Sequence, residues 1–261
     1  MDIKNKIIVV TGAGAGIGKA LAICFAKQGA KRVICSDIDA IKSKETADLI
    51  DGVSIEADVS KEADLINLIA QSEAEIGPID LFCSNAGILA QSGLDAPDQD
   101  WQRVWETNVM SHIWVARHLV PRMIARGGGY LLQTASAAGL LNQIGSAPYG
   151  VSKHAAIGFA EWLAFTYGDQ GIKLSVLCPQ AVQTDMIAGM DGHAASLDGI
   201  LSPHVVAQAC LQGLKDERFL ILPHPEVLTY MRNKASDYDR WIGGMRKLNR
   251  ANDTSNTPKG K

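Results

Sequence analysis

The order of apolar and polar positions divides this chain into two alternating periods. Short, almost unbroken apolar runs at 7–10, 32–35, 53–55, 81–83, 130–133 and 174–178 have the length of buried strands. Between them lie longer stretches with helical spacing, at 16–28, 40–50, 62–75, 99–126 with a break inside it, and 148–167. The strand runs lack polar alternation, so both of their faces should be covered. Strand and helix taking turns in this way predict an α/β protein, a parallel sheet with helices on both sides. With right-handed crossovers, the leading candidate is a doubly wound, three-layer Rossmann fold of about seven strands. The run at 219–222 supplies the last strand, at an edge. Residues 1–250 then form one domain ending in a C-terminal helix, and 251–261, polar and unpatterned, are expected to be a disordered tail.

Composition narrows the picture without changing it. The 261 residues are 47% hydrophobic and 20% charged, enough for one sizeable core. A net charge of -3 with no basic block gives no reason to expect nucleic acid. The five scattered cysteines suit reduced core thiols better than disulfides, and the six histidines show no ligand spacing, so no metal is expected. No apolar run approaches membrane-spanning length, and the first strand begins almost at once, which points to a cytoplasmic location.

The first strand leads into Gly12, Gly14, Gly16, Ile17 and Gly18, immediately before a helix. Glycines at such a turn let backbone approach a pyrophosphate, whose charge is met by N–H groups at the helix start. The second strand ends at Asp37, about twenty residues later, where a carboxylate can bond the adenosine ribose and repel a 2′-phosphate. Neither Ala13 nor Ala15 offers a compensating cation, so the reading is NAD rather than NADP. Asp39 is read as a helix cap, and Asp58 either bonds adenine or caps a turn.

Tyr149 and Lys153 are four apart in the helical pattern that begins at 148, which places them on one face, a turn apart. Turning a tyrosine into a base near pH 7 requires roughly three pKa units, about 4 kcal/mol, and one nearby lysine charge supplies energy of that order. By itself the pair fits an ordinary half-buried aromatic beside a solvated lysine better than it fits chemistry, because the spacing alone carries little.

The full set of motifs resembles the short-chain dehydrogenase/reductase family in its compact single-domain form. It comprises Thr11-Gly-x-x-x-Gly-Ile-Gly18, Asp58, the run Ser84 to Gly87, Asn108, Ser136, Tyr149-x-x-x-Lys153, and Pro179 followed by Val182 and Thr184. The resemblance implies catalytic roles for Asn108, Ser136, Tyr149 and Lys153. Tyr149 would act as acid/base, Ser136 would position the substrate oxygen, Lys153 would lower the tyrosine pKa, and Asn108 would complete a proton relay. It implies a cofactor shell that adds Val59, Asn85, Ala86, Gly87, Pro179, Val182 and Thr184 to the glycine turn, Asp37, Asp58 and the Tyr149–Lys153 pair. The implied function is hydride transfer between NAD(H) and a secondary alcohol or ketone, by a homodimer or homotetramer. The alternative is a dinucleotide-binding sensor that kept the fold without turnover.

Two places depart from that pattern. Gln180 stands where glycine usually follows Pro179. The stretch 185–201, containing Met186, Gly189, Met190 and Gly192, is expected to be a mobile lid whose apolar residues suit a moderately hydrophobic substrate. Beyond Pro225 a single helical pattern places Val227, Met231, Ala235, Tyr238, Ile242 and Met245 on one face, to pack on the core or a partner subunit, or to cover the pocket.

Overall fold

A computed structural model describes residues 1–90, 92–187 and 196–255 of the chain. Its seven strands are β1 (Ile7–Thr11), β2 (Arg32–Asp37), β3 (Val53–Glu56), β4 (Leu81–Ser84), β5 (Gly129–Thr134), β6 (Ile172–Leu177) and β7 (Leu220–Ile221). All pair in parallel, in the order β3-β2-β1-β4-β5-β6-β7. The expected doubly wound sheet is therefore present, and the direction of winding reverses between β1 and β4. At that switch point a crevice opens beyond the carboxyl ends of the strands.

The period of two along each strand sends alternate residues to opposite layers. Ile7 and Val9 join Phe82, Leu131 and Val176 beneath one set of helices, α3 (Glu62–Glu75), α5 (Ser111–Ala125) and α7 (Ala147–Tyr167). Ile8 and Val10 join Cys35, Leu81, Leu132 and Leu177 beneath α1 (Gly16–Lys27), α2 (Ala40–Leu49) and α8 (Pro203–Lys215). Each fully buried leucine or phenylalanine contributes on the order of 1.5–3 kcal/mol, and both faces need such residues, which is why the strands read as continuous apolar runs. All five cysteines are buried and free.

Several boundaries moved. β2 ends at Asp37 as expected, while β1, β3, β4 and β5 run past their apolar cores into Thr11, Glu56, Ser84 and Thr134, so polar residues stand at the sheet's carboxyl edge. The pattern at 99–126 breaks as expected, into α4 (Asp98–Trp105), a π-helical turn at Glu106–Met110, and α5. A short helix, α6 (Ala138–Leu141), follows β5.

The C-terminal pattern was read in the wrong phase. Instead of one helix there are two, α9 (Glu226–Ser236) and α10 (Tyr238–Ser255). They are separated at Asp237, which is extended at φ -157 and ψ 96 and accepts a hydrogen bond from the Arg240 N–H at 2.9 Å. That is helix N-capping by aspartate, and it restarts the helical phase. Of the residues expected on one buried face, Val227 is buried, whereas Tyr238 and Ile242 are exposed. Residues 251–255, expected as tail, continue α10, and 256–261 lie outside the described residues. No helix among the described residues is long and apolar enough to cross a membrane.

Candidate active site

The turn after β1 is built by close contact. Gly12 has φ +67, and a side chain there would lie 2.9 Å from the Ala86 Cα, so the first and fourth strand ends touch through a position that only glycine fits. Thr11 fastens the same junction. Its hydroxyl accepts from the N–H groups of Asn85 (3.0 Å) and Ala86 (3.2 Å) and donates to the Cys83 carbonyl (3.3 Å). The Asn85 amide donates to the Thr11 carbonyl at 3.0 Å and accepts from the Thr134 hydroxyl at 3.1 Å, joining β1, β4 and β5.

At the end of β2 the Asp37 carboxylate accepts from the Gly14 N–H at 2.9 Å and from the Asp39 N–H at 3.0 Å. Asp39 caps α2 through the Lys42 N–H at 3.1 Å. Asp58 accepts from the Ser60 N–H (3.0 Å) and hydroxyl (2.6 Å) and also lines the cavity described below. Burial pushes its carboxyl up, but hydrogen bonds from Ser60 and Lys61 outweigh this and leave it below the ordinary value.

Asn108 lies in the π-helical turn, fully buried. Its amide accepts from the Ile88 N–H and donates to the Ile88 carbonyl, both at 2.9 Å, and donates to the Ser152 hydroxyl at 3.1 Å. A wide turn exposes backbone and re-aims a side chain, and such turns often accompany functional sites. Here it sends the amide across to the loop segment that follows Gly87. A side chain at Gly87 would meet Asn108 Oδ1 at 3.2 Å and Lys153 Nζ at 3.3 Å.

Ser136 follows β5 and is fixed from two sides, donating to the Pro179 carbonyl at 3.3 Å and accepting from the Ala138 N–H at 3.1 Å. Tyr149 and Lys153 come from the first turns of α7. Burial raises the Tyr149 phenol above its usual value, and a hydrogen bond with Ser136 partly offsets the rise. Lys153 is buried, donates to the Thr134 carbonyl at 3.1 Å, and holds its ammonium 5.6 Å from the Tyr149 ring centre. The lysine head is tied to a backbone carbonyl, and burial pulls the lysine itself down from 10.5 to about 8.

That shift has a sign that can be tested. Between pH 8 and 10.5 the unfolded chain keeps a proton on Lys153 that the folded chain has lost, so this group adds stability as pH rises through that window. NMR titration of the Lys153 side chain in the ligand-free protein should give a midpoint near 8; a midpoint at the ordinary ~10.4 would refute the buried geometry.

These residues converge on one cavity of about 1050 Å³ lying across the carboxyl ends of the strands. Its wall includes Gly12, Gly16, Ile17, Asp37, Asp58, Val59, Asn85, Ala86, Gly87, Ser136, Tyr149, Lys153, Pro179, Val182 and Thr184. Gly14, Gly18 and Asn108 are not on the wall but directly behind it. Gln180 does line it, with its Oε1 buried and unpartnered and its N–H donated to His224 Nδ1 at 3.2 Å. Thr184 packs against Gly16, and Val182 bridges Leu201. Of the expected lid, Asp185–Ile187 forms a short 3₁₀ turn, while 188–195, with Gly189, Met190 and Gly192, lie outside the described residues.

The C-terminal pattern takes its pocket-covering alternative, with residues that, apart from Met245, differ from those expected. Tyr230, Asn233, Arg240, Trp241, Met245 and Leu248 from α9 and α10 face the cavity, at helical spacing once the phase restarts at Asp237. The signal was Asp237 itself, a capping residue inside an apparently continuous pattern. Tyr230 donates to Asp198 at 2.9 Å, and Lys234 donates to the Leu140 carbonyl at 2.7 Å, which hold these helices over the site.

Comparison with known proteins agrees with this architecture. The short chain dehydrogenase family model matches residues 6–193. The 1-deoxy-11-beta-hydroxypentalenate dehydrogenase of Streptomyces exfoliatus is 32% identical over 251 residues, covering 93% of this chain and 91% of its own. Among solved structures, a short chain dehydrogenase/reductase from Burkholderia phymatum in complex with NAD superposes with a TM-score of 0.84 at 27% identity, over 92% of this chain and 96% of that one. A 7 alpha-hydroxysteroid dehydrogenase complexed with NADH and 7-oxo glycochenodeoxycholic acid gives 0.77 at 28% identity, over 85% of this chain and 94% of that one. The family match spans the glycine turn, Ser136 and the Tyr149–Lys153 pair, the sheet is wound in the matching way, and this chain belongs to the short chain dehydrogenase family.

Proposed function

We propose that this protein is an NAD-dependent oxidoreductase that interconverts a secondary alcohol and a ketone, with Tyr149 as its acid/base. The observation that carries the reading is the meeting of Ser136, Tyr149 and Lys153 in the same cavity as the glycine turn and Asp37. The cavity suits a dinucleotide. A side chain at Gly12 would strike Ala86 and one at Gly16 would strike Thr184, so the turn offers bare backbone at the start of α1. Gly12, Gly16 and Ile17 would hold the pyrophosphate, Asp37 the adenosine ribose, Asp58 and Val59 the adenine end, and Asn85 to Gly87 with Pro179, Val182 and Thr184 the nicotinamide end. When bound, NAD(H) supplies the hydride acceptor or donor.

The chain's own groups handle the proton. Ser136, held by the Pro179 carbonyl and the Ala138 N–H, presents its hydroxyl to the substrate oxygen and steadies charge developing there. Tyr149, kept neutral by burial, is poised to give its proton to a ketone oxygen and takes one back from an alcohol. Lys153 stands beside it as a buried cation able to share that proton near its own pKa of about 8, and Asn108, one side of Gly87, positions the path behind.

Cofactor choice is tested at Asp37. Asp37→Ala should weaken NAD binding and shrink the NAD-over-NADP preference by about tenfold, the loss of one charged hydrogen-bond acceptor. Fluorescence titration with both nucleotides reads it, and a wild-type preference for NADP would overturn the assignment. Assembly as a homodimer or homotetramer rests on family membership, and a cytoplasmic location on five buried, unpaired thiols of the kind kept in reducing compartments.

A further inference from the structure

The cavity is longer than the reacting centre requires, and its far wall has a distinct chemistry. From Tyr230 outward, α9 and α10 present Trp241, Met245 and Leu248, and Leu141 and Ile144 lie across the same cavity. This part suits an apolar body. Charge is not evenly placed on it. Asp198 accepts from Tyr230 at 2.9 Å. Arg103 lies 3.7 Å from Asp100, and Asp185 sits beside Thr184 at the cofactor side. Arg240 lines the cavity and makes no ion pair among the described residues. Asp239 precedes it and forms no ion pair with it, and Asp237 accepts from the Arg240 backbone N–H as the helix cap.

The surrounding field has the same sign. Residues 226–252 carry six lysines and arginines against three acids, in a chain whose net charge is -3. Of those six only Arg240 lines the cavity, so it is the one positive charge that α9 and α10 place on this wall among the described residues.

Resting on the oxidoreductase reading above, we propose that the substrate is a hydroxy or oxo carboxylic acid with an extended apolar body, whose carboxylate is bound by Arg240 while its carbinol or carbonyl lies at Ser136 and Tyr149. Arg240 is exposed at the cavity wall, and a guanidinium matches a carboxylate with paired N–H donors. Arg240 comes from α10, whereas the reacting groups come from the end of β5 and from α7, so its contribution is to binding and falls on KM rather than kcat.

The test uses the full-length protein with NAD and two hydroxy acids, cholic acid and ricinoleic acid, each beside its methyl ester. The wild type should favour acid over ester by about tenfold or more in kcat/KM. Arg240→Ala should remove that preference by raising KM for the acid, leave the esters within about twofold, and Arg240→Lys should restore part of it. Equal use of acid and ester by the wild type, or an equal loss for both in Arg240→Ala, overturns the proposal. If neither form is oxidised or, as its ketone, reduced, the redox reading fails separately. Quenching of tryptophan fluorescence by acid and ester, in wild type and Arg240→Ala, then still decides the carboxylate site, since Trp241 adjoins it.

Discussion

Tyr149→Phe is expected to lower kcat by about 10²–10⁴-fold, the usual contribution of a positioned general acid or base. The change removes one oxygen and little else. Ser136 keeps the Pro179 carbonyl and the Ala138 N–H as partners, so no buried hydroxyl is stranded. Stability should fall by no more than about 1 kcal/mol, and NAD should bind as before because the glycine turn and Asp37 are untouched. Substrate-dependent NADH absorbance and nucleotide titration separate the two effects. A phenylalanine variant that turns over within a few-fold of the wild type would remove Tyr149 from the mechanism.

The second large effect concerns a residue that does not touch the cavity at all. Gly18 sits one turn into α1, and a β-carbon there would lie 2.6 Å from the Gly12 carbonyl carbon and 2.7 Å from the Asn85 amide nitrogen, with the Gly12 oxygen nearer still. Backbone cannot step aside as a flexible side chain does, so Gly18→Ala must push α1 away from the turn. The expected cost is ~3 kcal/mol, a drop in Tm of about 6–12 °C for a chain of this size. The N–H groups that would meet the pyrophosphate move with the helix, so NAD affinity should fall at least ~10-fold. Calorimetry and nucleotide titration measure both. An alanine variant with wild-type Tm and wild-type affinity would show that the helix and turn are not packed as described.

These two positions also show what the sequence could disclose. Tyr149 and Lys153 share a face because helical spacing is local, and the apolar runs of the strands are visible because both layers of the core demand them. The strand ends were read short for the same reason. Thr11, Ser84 and Thr134 are polar, and they are strand because of pairing with neighbours, which no local pattern records. The Lys153 ammonium shows a similar limit. Its place on the helix was legible, but its bond to the Thr134 carbonyl depends on how α7 crosses β5, and that bond changes its electrostatic part. Asp237 misled in the opposite sense: the apolar spacing continued across it, while its side chain ended one helix and began another.

Thr11 fixes how this cleft can move. A hydroxyl has one proton and two lone pairs, and in Thr11 the proton goes to Cys83 while the lone pairs receive Asn85 and Ala86. Its valence is saturated by the protein, so the loop after β4 cannot lift from the glycine turn without breaking several bonds at once. The cofactor end is thereby a rigid jaw. The wall opposite is tied down differently, through α9, by the Tyr230–Asp198 and Lys234–Leu140 contacts.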